Sequence, residues 1–140
     1  MRALSVRQPY AELILRGVKT VEYRSRPTRV IGERFYIYAP VKRASGDVKA
    51  WSRELTVPAE PLPGWLIELA EQVRMIEPGA LLPTGVIVGS AVIERCLPVQ
   101  LTANYEQSAP TYAWHLTEVQ RLPVPLKPSG HPQPVWFRAF

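Results

Sequence analysis

The run Gly85-Val86-Ile87-Val88-Gly89-Ser90-Ala91-Val92-Ile93 constrains the fold most, because it is apolar on both faces at once. A strand with one wet face alternates apolar and polar residues. A strand apolar on both sides is central in a sheet or wraps into a barrel. Gly89 in its middle permits the bend or the close backbone approach that a barrel needs.

Other strand-like segments are spread along the chain. Ala3-Leu4-Ser5-Val6 reads as a short first strand. Over residues 19–24 the pattern has period two, with Val21 and Tyr23 on one face and Thr20, Glu22 and Arg24 on the other. Arg34-Phe35-Tyr36-Ile37-Tyr38-Ala39 is a strand by its aromatic and β-branched content, and Pro40 ends it. Residues 111–119 and 134–140 are expected to be strands too. Tyr36, Tyr38, Trp114 and Trp136 are read as core.

Helices are fewer. Gln8-Pro9 opens one, with Pro9 at the first helical position, where its missing N–H costs nothing. Leu13, Ile14 and Val18 form its buried stripe, Glu12 and Arg16 an i,i+4 pair on the wet side, and Gly17 its stop. Two more are expected over 47–54 and 65–76. The 140 residues suit one domain spanning 1–140, and strands outnumber helices, so the expectation is an α+β barrel-like domain.

No segment reaches the roughly 18–20 apolar residues that cross a bilayer, and the N-terminus lacks an apolar leader. Cys96 is the only cysteine, and His115 and His131 have no partner at metal-ligand spacing. The economical expectation is a cytoplasmic monomer without metal or cofactor. The net charge is +5, unevenly distributed. Residues 1–53 hold 12 of the 17 Lys/Arg and 4 of the 12 Asp/Glu, while the remainder holds 5 and 8. A basic half of this kind attracts polyanions.

Candidate chemistry concentrates between Ser5 and Arg24. Glu22 and Arg24 share a strand face, and a carboxylate between Lys and Arg can orient those cations for a ligand. Arg offers a planar fork for phosphate, Lys19 a point charge, and Gln8 an amide that reads a base edge or a carbonyl. Arg7, Arg26 and Arg29 extend the cationic set. The competing reading is a structural ion pair between Glu22 and Arg24. Trp51, among Lys42, Arg43, Lys49 and Arg53, is a further stacking candidate.

Gly17-x-Lys19-x-x-Glu22-x-Arg24 resembles the GxKxxExR signature of the ASCH (activating signal cointegrator-1 homology) domain family. Leu4-Ser5-Val6-Arg7-Gln8-Pro9-Tyr10-Ala11 is similar to that family's LSxxQPWA segment, with Tyr10 where Trp is common. The resemblance continues through residues 32–39, through 85–89, and to the proline-rich end with Lys127, Gly130 and Trp136. It implies a PUA-like mixed or antiparallel β-barrel with a few flanking helices and a cleft beside the signature. It also implies nucleic-acid binding, RNA in preference to DNA, through Arg7, Gln8, Tyr10, Lys19, Glu22, Arg24, Arg26 and Arg29. Compact relatives resembling nucleoside amidohydrolases imply the alternative, an enzyme using Lys19, Thr20 and Glu22, or a weak ribonuclease using Lys19. Glu22 stands where those enzymes have their nucleophilic Thr. The family name also implies a third option, a protein-interaction domain.

Overall fold

The computed structural model describes residues 1–8, 10–42, 82–99 and 111–140. Within them lie β1 (Arg2–Ser5), α1 (Tyr10–Leu15), β2 (Val21–Arg24), β3 (Arg34–Ala39), β4 (Val86–Pro98), β5 (Tyr112–Leu126) and β6 (Trp136–Arg138). The expected helices over 47–54 and 65–76, Pro9, and the Trp51 cluster except Lys42 fall outside the described residues.

The six strands form one mixed sheet in the order β2-β5-β4-β3-β1-β6. β1 and β3 run parallel, pairing Ser5 with Tyr38, and the other neighbours are antiparallel. The sheet is curled. β5 and β6 are four strand spacings apart, roughly 19 Å if the sheet were flat. Yet Trp114 on β5 stacks on Trp136 on β6 with ring centroids 5.9 Å apart. The result is the half-barrel of an α+β, PUA-like fold, mostly strands with one short helix among the described residues.

Irregular pairing between β4 and β5 helps the sheet to curl. Ser90 pairs with Gln120 and Val92 with Thr117, which leaves one extra residue on β5. There Glu118 adopts φ +49°, and Arg34 donates to both the Glu118 carbonyl and Ser90 Oγ at 2.9 Å. At Gly89 a Cβ would lie 2.5 Å from the Gln120 carbonyl and 2.5 Å from Leu15 Cδ2. The glycine therefore serves close approach, letting α1 seat directly on the β4–β5 ribbon.

β3 has the bounds read from its sequence, whereas β4 and β5 run past the expected ends. Pairing between them continues beyond the apolar run, with Glu94 and Arg95 exposed, so burial pattern alone underestimates their length. β6 is shorter than 134–140: Ser5 N–H bonds the Val135 carbonyl outside the regular ladder, and Pro134 has no N–H to give. α1 buries Ala11, Leu13 and Ile14 in the core with Leu4, Phe35, Ile37 and Trp114.

Glu12 corrects the expectation of a wet helix face. It is 5% exposed, because β5 carries Arg121 across the outside of α1. Arg121 grips both carboxylate oxygens at 3.0 and 2.7 Å, and Arg16 Nε donates to Oε2 at 2.7 Å. Burial pushes the Glu12 carboxyl up, but the hydrogen bonds and charges of Arg121 and Arg16 outweigh it and hold it below its ordinary value.

Candidate functional site

Parallel strands bring their C-terminal ends to the same rim, so the residues after β1 and β3 meet. There Ser5, Val6 and Arg7 lie beside Tyr38, Pro40, Val41 and Lys42, and together they line a cleft of about 640 Å³. Residues 132–134 form another wall, tied to β1 by Ser5 Oγ donating to the Gln133 carbonyl at 2.5 Å. Tyr10, Glu22, Tyr23 and Arg24 complete the lining. The volume suits a small organic ligand or one unit of a polymer.

The signature segment builds this side of the cleft from the inside outward. Gly17 has φ +76°, which glycine adopts without penalty, and the turn closes with Val18 and Lys19 N–H both on the Leu13 carbonyl. Lys19 is thereby directed inward and is 0% exposed. Its Nζ donates to the Val21 carbonyl at 2.8 Å and lies 5.5 and 5.7 Å from the ring centres of Tyr10 and Tyr23. Two aromatic faces and the Glu22 carboxylate, 3.7 Å away, offset the loss of water around the ammonium.

Glu22 stands between two cations. Its Oε1 faces Lys19, and its Oε2 is 3.5 Å from Arg24 Nη2. The same Nη2 donates one of its two N–H groups to the Ser5 carbonyl at 2.7 Å. That bond joins β2 to β1 across the mouth of the half-barrel, with the guanidinium 5.8 Å from the Trp114 ring centre. Glu22 is 6% exposed, and its Oε2 is buried with no hydrogen-bond partner among the described residues. Native proteins rarely leave such an acceptor unpaired.

The residues singled out from the sequence thus separate by position. Arg7, Tyr10, Glu22 and Arg24 line the cleft. Lys19 lies behind it, and Gln8 is 0% exposed with both ends of its amide used. Gln8 Nε2 donates to the Pro83 carbonyl and Oε1 accepts from Glu12 N–H, each at 3.0 Å, so Gln8 holds the start of α1. Thr20 is exposed just before β2, and Arg26 and Arg29 project from the following loop; none of the three lines the cleft.

The cleft also uses residues that were not selected from sequence, notably Lys42, Pro40, Val41 and 132–134. Pro40 and Lys42 follow the β3 strand, and their role was readable only by knowing that β3 runs parallel to β1. The proline-rich end showed itself in composition, but not which surface it covers.

The ASCH domain family model matches residues 4–125. No match emerges among curated protein sequences. Among solved structures, the ASCH protein of Zymomonas mobilis is similar in fold, with a TM-score of 0.50 at 17% identity over 90% of this chain and 72% of that one. A point mutant of the same Zymomonas mobilis protein gives a TM-score of 0.51 at the same identity and coverage. With the signature on the turn and strand that wall the cleft, and the family model spanning most of its length, this chain belongs to the ASCH domain family.

Proposed function

We propose that this chain is a nucleic-acid-binding module, one ASCH domain over 1–140, that seats a single nucleotide of an RNA strand in the cleft. The observation that carries the reading is the combination within one cleft of an exposed cationic rim, Arg7 and Lys42, with ring and proline walls. Cations at the rim suit backbone phosphates, and apolar walls suit a base. A cleft of this size receives an unstacked base and not a duplex, and single-stranded RNA offers such bases. Tyr10 supplies a ring at the wall, and Arg24 braces the mouth against Ser5.

The hydrolase alternative has less support. Lys19 is enclosed behind Tyr10, Tyr23 and Glu22, and Thr20 does not line the cleft, so neither meets a ligand seated there.

The test is anisotropy of a labelled single-stranded RNA between about 50 and 300 mM salt. Two or three phosphate contacts predict affinity falling roughly 10- to 40-fold over that range. Affinity independent of salt, or absent at low salt, overturns the reading. Matched single-stranded DNA and duplex RNA are expected to bind more weakly.

A further inference from the structure

Building on that RNA-binding reading, we propose that the bound strand leaves the cleft along the open side of the half-barrel and sets a further phosphate between Arg2 and Arg138. β2 and β6 are the two edges of the sheet, and no strand pairing among the described residues closes the space between them. A line of contacts runs along that opening from the cleft. Arg24, in the cleft wall, lies 5.8 Å from the Trp114 ring centre, and Trp114 stacks on Trp136 at 5.9 Å. Arg2 in turn lies 5.9 Å from the Trp136 ring centre. At this far end Arg2 on β1 stands directly opposite Arg138 on β6. Residues paired across a sheet share a face, so the two guanidinium groups are neighbours.

Like charges directly opposite on neighbouring strands repel. Elsewhere the protein sets its arginines against carboxylates, Arg16 and Arg121 against Glu12 and Arg34 against Glu118. At β1 and β6 one carboxylate serves two cations among the described residues. Glu33 meets Arg2 through Nε at 3.2 Å, and Arg138 has no ion pair there. The chain around β6 brings no carboxylate side chain of its own, since residues 119–140 contain neither Asp nor Glu. The Arg2 side chain is 45% exposed and Arg138 is exposed, so an anion meets both without entering the core. A phosphodiester fits this place, because its two free oxygens accept from two planar guanidinium forks at once. Arg2 precedes Ser5 of the cleft by three residues, about 10 Å along β1. One RNA strand therefore occupies both places only when it is several nucleotides long.

The test compares 5′-phosphorylated oligouridylates of two and six nucleotides between about 50 and 300 mM salt. The dinucleotide fills the cleft alone. One further phosphate contact steepens the salt slope by about 0.7, so the affinity advantage of the hexamer is expected to shrink roughly 3- to 4-fold over that range. The larger number of registers on a longer strand does not vary with salt. Arg138→Glu removes the site and sets opposite charges across from each other. It is expected to make the ratio of the two affinities independent of salt, to leave dinucleotide binding as it was, and to keep or raise the urea midpoint. A hexamer with an uncharged methylphosphonate at every linkage after the first is expected to match the dinucleotide in salt dependence. A ratio constant with salt in the unaltered protein, with both strands bound, overturns the further contact and leaves the RNA-binding reading standing. Binding of neither strand overturns both. An undiminished salt dependence of the ratio in folded Arg138→Glu, or a urea midpoint below that of the unaltered protein, also overturns the assignment. If that variant does not fold, the methylphosphonate strand on the unaltered protein decides.

Discussion

Glu12 and Glu22 lie ten residues apart, each nearly buried and each between two cations, yet their hydrogen bonding is opposite. Glu12 is met by Arg121 on both oxygens and by Arg16 on one, at 2.7 to 3.0 Å. Glu22 faces Lys19 at 3.7 Å and Arg24 at 3.5 Å, and its Oε2 has no hydrogen bond among the described residues. Lys19 and Arg24 instead donate to the backbone carbonyls of Val21 and Ser5. One carboxylate is fully used in tying α1 to β5, and the other is held in place with an unmet acceptor in a cleft wall. Burial and charge type are the same in both, so partner geometry separates the structural acid from the binding candidate.

The contrast is most severely tested at Arg121. Replacing it with alanine leaves Glu12 buried with Arg16 alone. A loss of about 2–3 kcal/mol is expected in chemical denaturation, below the usual cost for a buried pair because Arg121 is half-exposed. RNA affinity should not change, and a parallel loss of binding would mean that the two sites are one.

Glu12→Gln should cost about 1–2 kcal/mol at neutral pH. The folded-state pKa of Glu12 is lowered, so its stabilisation is fully present above the ordinary value of 4.5 and is lost as pH falls through the folded value. The difference between variant and unaltered protein should therefore shrink in that acid range. A difference that is constant with pH would show that the carboxylate charge is not what matters.

Glu22→Gln removes no hydrogen bond at Oε2 but takes the opposite charge from the buried Lys19 ammonium, so a loss of about 1–2 kcal/mol is expected in chemical denaturation. Unchanged stability would mean that the Val21 carbonyl and the two tyrosine rings are enough to hold Lys19. The smallest stability effects belong to Arg7→Ala and Lys42→Ala, each within about 0.5 kcal/mol since both side chains are exposed. Each should lower the salt slope of RNA binding by about 0.7 if its cation meets one phosphate.

Much of the fold was legible because strands advertise themselves locally. Aromatic and β-branched residues marked β3, an all-apolar run marked the centre of β4, and period-two alternation marked β2. Gly17 was readable as the helix stop, since a left-handed turn there favours glycine. Of the site, Arg7, Tyr10, Glu22 and Arg24 were legible from the signature and the segment before it. Gln8 and Lys19 do not line the cleft, because a backbone carbonyl and two rings engage them inside, which neither the signature nor their spacing records. Nothing in its own spacing identified Lys42 as a neighbour of Arg7.

The sequence by itself determined where the chain extends, where the first helix stops, and which face of β2 carries Glu22 and Arg24. These depend on neighbours within a few residues, which periodicity records. Only the tertiary structure decided that Glu12 is sealed while Glu22 lines a cleft. That outcome turns on Arg121, 109 residues away, reaching one carboxylate on both oxygens, while Arg24 beside the other hydrogen-bonds the Ser5 carbonyl. Hydrogen bonds are short and directional, so the curl of the sheet, which brings distant strands within reach, selects which acid is satisfied.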